Sequence, residues 1–183
     1  MSRGDFEIEG GNSFVLEINP WVPESHVTAA LFYRGAIVSA WGYIDTTLTE
    51  LCIRSARMPE YRDIQKTFPS GLVKRLKYMR TVLQSPGPFA TFEQPGLRFL
   101  ARFEAEAPLR HLMAHGHMRV LPDWGATFTD FRADGRAIAN RRKRFTLDQL
   151  RRLARKSTKL SRHVQRGRDA IEAAGFLPQM VFD

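Results

Sequence analysis

The longest helical pattern of the chain, from Val27 to Arg57, constrains its fold more than any other feature. Apolar and small side chains recur along it at three- and four-residue spacing, which places them on one face of a helix. They are Ala36, Ala40, Tyr43, Ile44, Thr47, Leu48 and Leu51. Ser25 is a suitable N-cap, and Pro59 ends the pattern because proline has no backbone N–H to donate. The sequence therefore predicts one long helix followed by a break.

Three further helices are predicted along the chain. The second spans Tyr61 to Gln84 and is bent or broken around Pro69-Ser70-Gly71. A third follows the turn Ser85-Pro86-Gly87-Pro88, restarts at Pro95-Gly96 and runs to about His115, with a kink or a new turn at Pro108. Thr146 is the expected N-cap of a final helix that ends at about Ala174.

The periodicity changes between the last two helices. Short strand-like runs are separated there by two turns, Pro122-Asp123-Trp124-Gly125 and Ala133-Asp134-Gly135. The runs are Met118 to Leu121, Thr127 to Arg132 and Ala137 to Phe145. We therefore expect a mainly α fold: a bundle of four to five helices with a small β-hairpin or meander inserted before the last helix. Residues 1–24 are expected to form an irregular or extended arm, residues 25–176 one helical domain, and residues 177–183 a tail.

Length and composition fit a globular protein of one domain. The chain has 183 residues, of which 43% are hydrophobic and 26% charged. No apolar run approaches the roughly 20 residues of a membrane helix, so we expect no membrane partner. The acidic N-terminal residues do not fit a signal peptide, and the single Cys52 cannot form an internal disulfide. Both observations favour a cytoplasmic protein.

The charge of the chain is strongly basic and unevenly distributed. Lys and Arg number 28 against 19 Asp and Glu, which gives a formal net charge of +9. The excess lies between Arg132 and Arg168, and such a segment attracts phosphate backbones. The residues expected to bind RNA are Arg141, Arg142, Lys143, Arg144, Arg152, Arg155, Lys156 and Lys159. The same pattern also fits a solvated basic face without a ligand.

The segment Leu109 to Gly116 carries the best candidate for chemistry. Arg110 and His115 stand five positions apart, at the edges of one broad helical face, and His111 and His115 are neighbours at four-residue spacing. A guanidinium can hold phosphate oxygens while an imidazole transfers protons near neutral pH. The pairing fits the cleavage of a phosphodiester bond.

Two other interpretations of these residues remain open. His111, His115 and His117 form a cluster with partial metal-ligand spacing, but no Cys or paired carboxylate lies close in sequence, and we expect neither a metal nor another cofactor. Alternatively, Arg110 forms a structural ion pair with an acid on its own or another helix. His115 is then only a residue at the C-terminal end of its helix, favoured there by the helix dipole, with Gly116 as the C′ residue.

The motif and the order of elements resemble the HEPN superfamily. Members of that family are helical bundles with an arginine, four to six intervening residues and a histidine, as in Arg110 and His115. His111 stands where that family has a polar residue, and Gly116 fits its common Ala-His-Gly form. The first helix contributes a similar pattern of Gly35, Trp41, Asp45 and Leu48. The likeness extends from Val27 to Ala174.

The resemblance implies a metal-independent ribonuclease, often a toxin or defence effector, that acts as a homodimer. It implies attack of the RNA 2′-hydroxyl on the adjacent phosphorus, with His115 as general acid or base and Arg110 on the phosphate oxygens. His111 would orient these groups, and Asp45 would position His115 or Arg110. RNA, a second copy and an antitoxin or regulatory protein are the expected partners. The alternative is a non-catalytic HEPN-like module that binds RNA or protein.

Overall fold

A computed structural model describes residues 21–122, 125–134 and 137–178. The helices are α1 (Glu24–Ala56), α2 (Leu72–Gln84), α3 (Glu93–His115) and α4 (Leu147–Ala173), with a short 3₁₀ helix at Pro88–Phe92. The strands are β1 (His117–Leu121), β2 (Gly125–Asp134) and β3 (Ala137–Thr146). The predicted fold class is confirmed: the chain is mainly helical, with a small antiparallel sheet before the last helix. The arm up to residue 20, Trp124 and residues beyond 178 lie outside the described residues.

The N-terminus of α1 differs from the prediction. The helix begins at Glu24, directly after Pro23, so Ser25 is already inside it and is not the N-cap. Proline at this boundary has a fixed φ and needs no hydrogen-bond partner for its nitrogen, while the carboxylate of Glu24 interacts favourably with the helix dipole. The predicted arm therefore ends before Glu24. The helix ends at Ala56, close to the predicted end.

The second predicted helix is broken rather than bent. Residues 57–64 form turns, with backbone hydrogen bonds from Tyr61 to Met58 (3.1 Å) and from Ile64 to Tyr61 (3.1 Å), and α2 begins only at Leu72. Gly71 has a φ of 81°, which favours glycine and is incompatible with a helix that runs through this position. The predicted start at Tyr61 is therefore wrong. Tyr61 is buried instead, and its hydroxyl accepts a hydrogen bond from the Phe89 N–H at 2.8 Å.

Two prolines lie inside α3 without ending it. Pro95 occupies the first turn, where a backbone N–H has no partner in the helix anyway. Pro108 lies in the interior, and α3 continues past it to His115. The helix therefore begins before the predicted restart at Pro95-Gly96 and carries the whole Arg110–His115 segment on one element.

The three strands form one antiparallel sheet in the order β1-β2-β3. Ala126 and Phe128 of β2 are buried, and Asp130, on the same side of the strand, is opposite Arg141 of β3. The helix α4 then begins with a capping box, because the Thr146 hydroxyl accepts from the Gln149 N–H and the Gln149 side chain accepts from the Thr146 N–H. The predicted N-cap of the last helix is confirmed.

One hydrophobic core joins the helices and the sheet. Trp41 of α1 is 1% exposed and packs against Phe103 of α3, with ring centroids 5.0 Å apart. Long stretches of α1 and α4 pack together, and α3 packs on α1 and α2. In the described part of the chain, no helix combines the length and apolar character needed to cross a membrane.

Candidate functional site

Arg34 of α1 fixes the C-terminal end of α3. Its Nε donates to the carbonyl of Met113 (2.8 Å), and one terminal nitrogen donates to Ala114 (3.4 Å) and Gly116 (3.1 Å). The last carbonyls of a helix have no partner within it, so these bonds satisfy groups that would otherwise need water. Burial lowers the pKa of Arg34 below its ordinary value. Arg34 was not predicted from the sequence, because only the fold brings it to α3.

Gly116 ends α3 for a steric reason and not through a left-handed conformation. Its φ is −68° and its ψ is 136°, an extended conformation outside the left-handed region. A Cβ at this position would lie 2.4 Å from the Leu112 carbonyl oxygen. The chain needs a glycine here because it turns sharply from α3 into β1 against the preceding helical turn.

Arg110 shares one carboxylate with a second arginine. A terminal nitrogen of Arg110 lies 3.6 Å from Oδ2 of Asp45, and one of Arg75 lies 3.0 Å from Oδ1 of the same residue. Arg75 also donates to the Thr49 hydroxyl, which in turn donates to the Asp45 carbonyl (2.7 Å). One carboxylate thus faces two guanidinium groups, which leaves an excess of positive charge. Arg75 was not predicted, since nothing in its local sequence distinguishes it from other arginines.

The rings of the two motif histidines contact each other at an interplanar angle of 51°. The ring centroids of His111 and His115 are 4.8 Å apart, as expected for neighbours at four-residue spacing. Nε2 of His111 lies 3.5 Å from Oδ2 of Asp130, a carboxylate that is 7% exposed. His115 is exposed and makes no hydrogen bond or ion pair within the described residues. Asp130 was also missed, although an acid on the buried side of a strand is a recognisable signal.

The arginine and the histidines of the motif point in different directions. On a helix, His111 is rotated by about 100° and His115 by about 140° from Arg110. Accordingly, Arg110 faces α1 and Asp45, whereas His111 faces β2 and Asp130. Among the described residues no hydrogen bond or ion pair joins Arg110 to His115, and Asp45 contacts Arg110 rather than His115. Within one chain the predicted site therefore has two halves. The arginine half contains Arg110 and Asp45, and the histidine half contains His111, His115 and Asp130.

The basic residues of β3 lie beside the histidine half. A cavity of about 430 Å³ is lined by Arg141, Arg142 and Lys143 of β3 and by Asp130, together with Pro108, Leu109 and Leu112 of α3. All three basic side chains are exposed. Arg142 and Arg144 also line a second, more open pocket with Leu121 and Thr127. Because β3 is an edge strand of the sheet, its cations form a positive border next to α3.

The basic residues of α4 are exposed, but acids partly neutralise them. Arg152 pairs with Asp148 at 3.0 Å, and Lys156 pairs with Glu106 of α3 at 2.8 Å. Arg155 and Lys159 form no ion pair with the described residues. The α4 face therefore carries less free charge than its sequence indicates, and the β3 edge is the stronger candidate for binding phosphate.

Neither a metal cluster nor a reactive thiol is found in the described part of the chain. Those residues contain no group of three or more His, Cys, Asp or Glu that could hold a metal ion, and His117 is exposed on β1. Cys52 is fully buried, and burial raises the pKa of its thiol to about 12, against a smaller opposing effect of Arg75. A thiol that stays protonated at neutral pH is a poor nucleophile, so Cys52 belongs to the core.

Comparisons of this chain with protein-family models, with curated proteins and with solved structures find no match.

Proposed function

We propose that this protein is a metal-independent endoribonuclease of HEPN type that works as a homodimer. The observation that carries the proposal is the arrangement at the end of α3. The exposed ring of His115 contacts the ring of His111, which is paired with a carboxylate; an arginine is oriented by Asp45, and a basic strand lies beside them. Proton transfer, charge stabilisation and substrate binding each have a suitable group there.

The proposed reaction uses the ribose 2′-hydroxyl as nucleophile. Its oxygen attacks the adjacent phosphorus as the bond to the 5′-oxygen breaks, which leaves a cyclic phosphate and a free 5′-hydroxyl. His115 acts as general acid or base, and Arg110 stabilises the charge on the non-bridging oxygens. Asp45 and Arg75 position Arg110, and Asp130 orients His111. DNA lacks the 2′-hydroxyl and is not a substrate.

A second copy resolves the separation between Arg110 and the histidines. Two motifs facing one cleft allow the arginine of one chain to act with His115 of the other. The exposed surface of α1, which also carries Asp45, supports this part of the proposal. Leu31, Phe32, Val38 and Tyr43 are 40%, 68%, 38% and 38% exposed there. An exposed apolar face of this kind marks an interaction surface.

RNA cleavage by the purified protein in EDTA tests the proposed site. We expect the His115→Ala variant to lose roughly 100-fold in rate and Arg110→Ala a similar factor or more, because each removes a group acting on the transition state. His117→Ala, an exposed histidine two positions away, is the matched control and should cleave normally. Cleavage that survives both motif substitutions, or that EDTA abolishes, would rule the proposal out.

The homodimer has its own test. Val38→Glu places a charge on the α1 face and should give a monomer in sedimentation velocity, with loss of cleavage. Val73→Glu makes the same change at a position on α2 that is 76% exposed and should change neither property. A wild-type protein that is monomeric while cleaving RNA would contradict the composite cleft.

One observation favours the alternative, a non-catalytic module that binds RNA or protein. The Arg110–Asp45 ion pair is complete within one chain, as a purely structural role requires. On this alternative the basic edge of β3 binds RNA without cleaving it. Binding should then weaken steeply with salt and with Arg142→Gln, while no cyclic-phosphate product forms. The roles of toxin or defence effector, the antitoxin or regulatory partner and the cytoplasmic location rest on the resemblance and the composition, and belong to the proposal.

A further inference from the structure

We propose that the helical bundle binds a single-chain fatty acid in an apolar cavity remote from the Arg110–His115 segment. The cavity has a volume of about 370 Å³ and lies among all four helices. Its wall includes Ile44 and Leu48 of α1, Met79 of α2, Phe99 of α3, and Leu160 and Val164 of α4. This inference is independent of the proposed ribonuclease activity.

The cavity exists because two of the helices diverge. The helix α1 packs along α4, and α3 packs on α1 and α2, whereas α3 and α4 make little direct contact. Exposed residues of the lining lie on the first half of α3, at Arg98 and Arg102, and on the second half of α4, at His163 and Gly167, so we infer that the cavity opens between them. A Cβ added to Gly167 would meet nothing within 4 Å, so a side chain at this position of α4 would find free space.

The size and lining of the cavity point to an apolar ligand. Small-molecule sites occupy about 300–1,000 Å³ and are mostly apolar, with few polar groups. The volume here is at the lower end of that range, which suits one alkyl chain rather than two. Protein interiors are normally close-packed, so the side chains around an empty apolar space of this size lack van der Waals contacts. An alkyl chain in the cavity would supply them.

The charge at the opening selects an anionic head group. Arg102 is paired with Glu106 at 3.4 Å, a carboxylate that Lys156 shares, and Arg168 is paired with Glu50 at 3.1 Å, so both arginines already have a carboxylate partner. Arg98 is exposed and forms no ion pair with the described residues, and His163 lies across the opening on α4. A carboxylate at the end of an alkyl chain in the cavity would therefore meet an uncompensated guanidinium, which can bind it with two hydrogen bonds.

Calorimetric titration of the full-length protein with laurate, below its micelle concentration, tests this proposal. We expect one laurate per chain, and weaker binding of dodecanol, which has the same alkyl chain and no charge. Arg98→Gln should weaken laurate binding by about tenfold, the effect of losing one charge-assisted pair. The control Arg162→Gln removes the same charge from the outside of α4 and should leave laurate binding unchanged.

A second pair of variants tests the cavity without altering charge. Gly167→Phe fills the opening from the surface of α4 and should abolish laurate binding, while the fold is retained because glycine is a poor helix former. Gln165→Phe adds the same ring two residues away, outside the cavity, and should bind laurate normally. The proposal is overturned if the wild-type protein does not bind laurate, if it binds many laurates per chain, or if Arg98→Gln and Gly167→Phe bind like their controls.

Discussion

Single side chains join parts of this molecule that are distant in sequence. Arg34 is the clearest case. Its guanidinium donates hydrogen bonds to the carbonyls of Met113, Ala114 and Gly116, which lie at the end of α3 and just after it, 79 to 82 residues further along the chain. It also lies 5.9 Å from the centroid of the Phe128 ring, so it contacts the sheet as well. Arg34 therefore helps to fix the end of the Arg110–His115 segment against α1.

Replacing Arg34 by methionine should lower the free energy of unfolding by about 2 kcal/mol, because hydrogen bonds to a charged group are lost and buried carbonyls are left unsatisfied. Urea unfolding followed by circular dichroism measures the change. Arg57→Met is the matched control, since Arg57 is exposed and its side chain has no partner among the described residues. Equal stability of the two variants would show that Arg34 does not hold the end of α3.

The residues at the start of each helix determine where that helix begins. The capping box at Thr146 and Gln149 starts α4 where the local sequence indicates, directly after the last residue of β3. The start of α1 at Pro23 and the start of α2 after Gly71 follow from proline and glycine rather than from a side-chain cap. At the starts of α1 and α2, the backbone preference of one residue therefore decides where the helix begins, whereas two side chains decide it at the start of α4.

Thr146→Ala should lower the free energy of unfolding by about 1 kcal/mol, because it removes the hydroxyl that accepts from the Gln149 N–H. Thr81→Ala is the control in the last turn of α2, where an exposed threonine is not an N-cap and alanine is the better helix former. Thermal unfolding of both variants provides the comparison. If the Thr81 variant were the less stable one, the capping box would contribute little.

At the scale of the whole molecule, ion pairs and hydrogen bonds connect the end of α1 with α4 and with Pro178. Arg54 is 6% exposed and pairs with Glu50 at 3.0 Å and with Glu172 of α4 at 2.8 Å. Its Nε also donates to the Pro178 carbonyl at 3.1 Å. The hydrogen bond from Arg54 lowers the pKa of Glu172, so this carboxylate stabilises the fold above its ordinary pKa and stops doing so as the pH falls through the lowered value.

Alkaline pH should destabilise the fold through Cys52. Its pKa is raised from 9.0 to about 12 by burial, so above pH 9 the unfolded chain loses this proton while the folded protein keeps it. The free energy of unfolding should therefore fall by about 1.4 kcal/mol per pH unit from this group until the pH approaches the folded value. Denaturant unfolding between pH 8 and 11 measures the slope. Burial also raises the pKa values of Tyr61 and Tyr78, which adds to the decline.

The Cys52→Ala variant separates these contributions. Its stability at pH 7 is lower because a buried side chain is truncated, but its slope with pH should be shallower than that of the wild type. Parallel slopes in the two proteins would mean that the thiol does not titrate on unfolding.

The sequence by itself determined the order of the elements, the cap of α4, the sheet before it and the placement of Arg110, His111 and His115 on one helix. These features depend on residues close together in the chain, through helical period, capping and turn preferences. The tertiary structure decided which partners those residues meet. Asp45 and Arg75 come to Arg110, and Asp130 to His111, only because α1, α2 and β2 pack around α3. Such contacts depend on the shape of the assembled core, which a local sequence pattern does not specify.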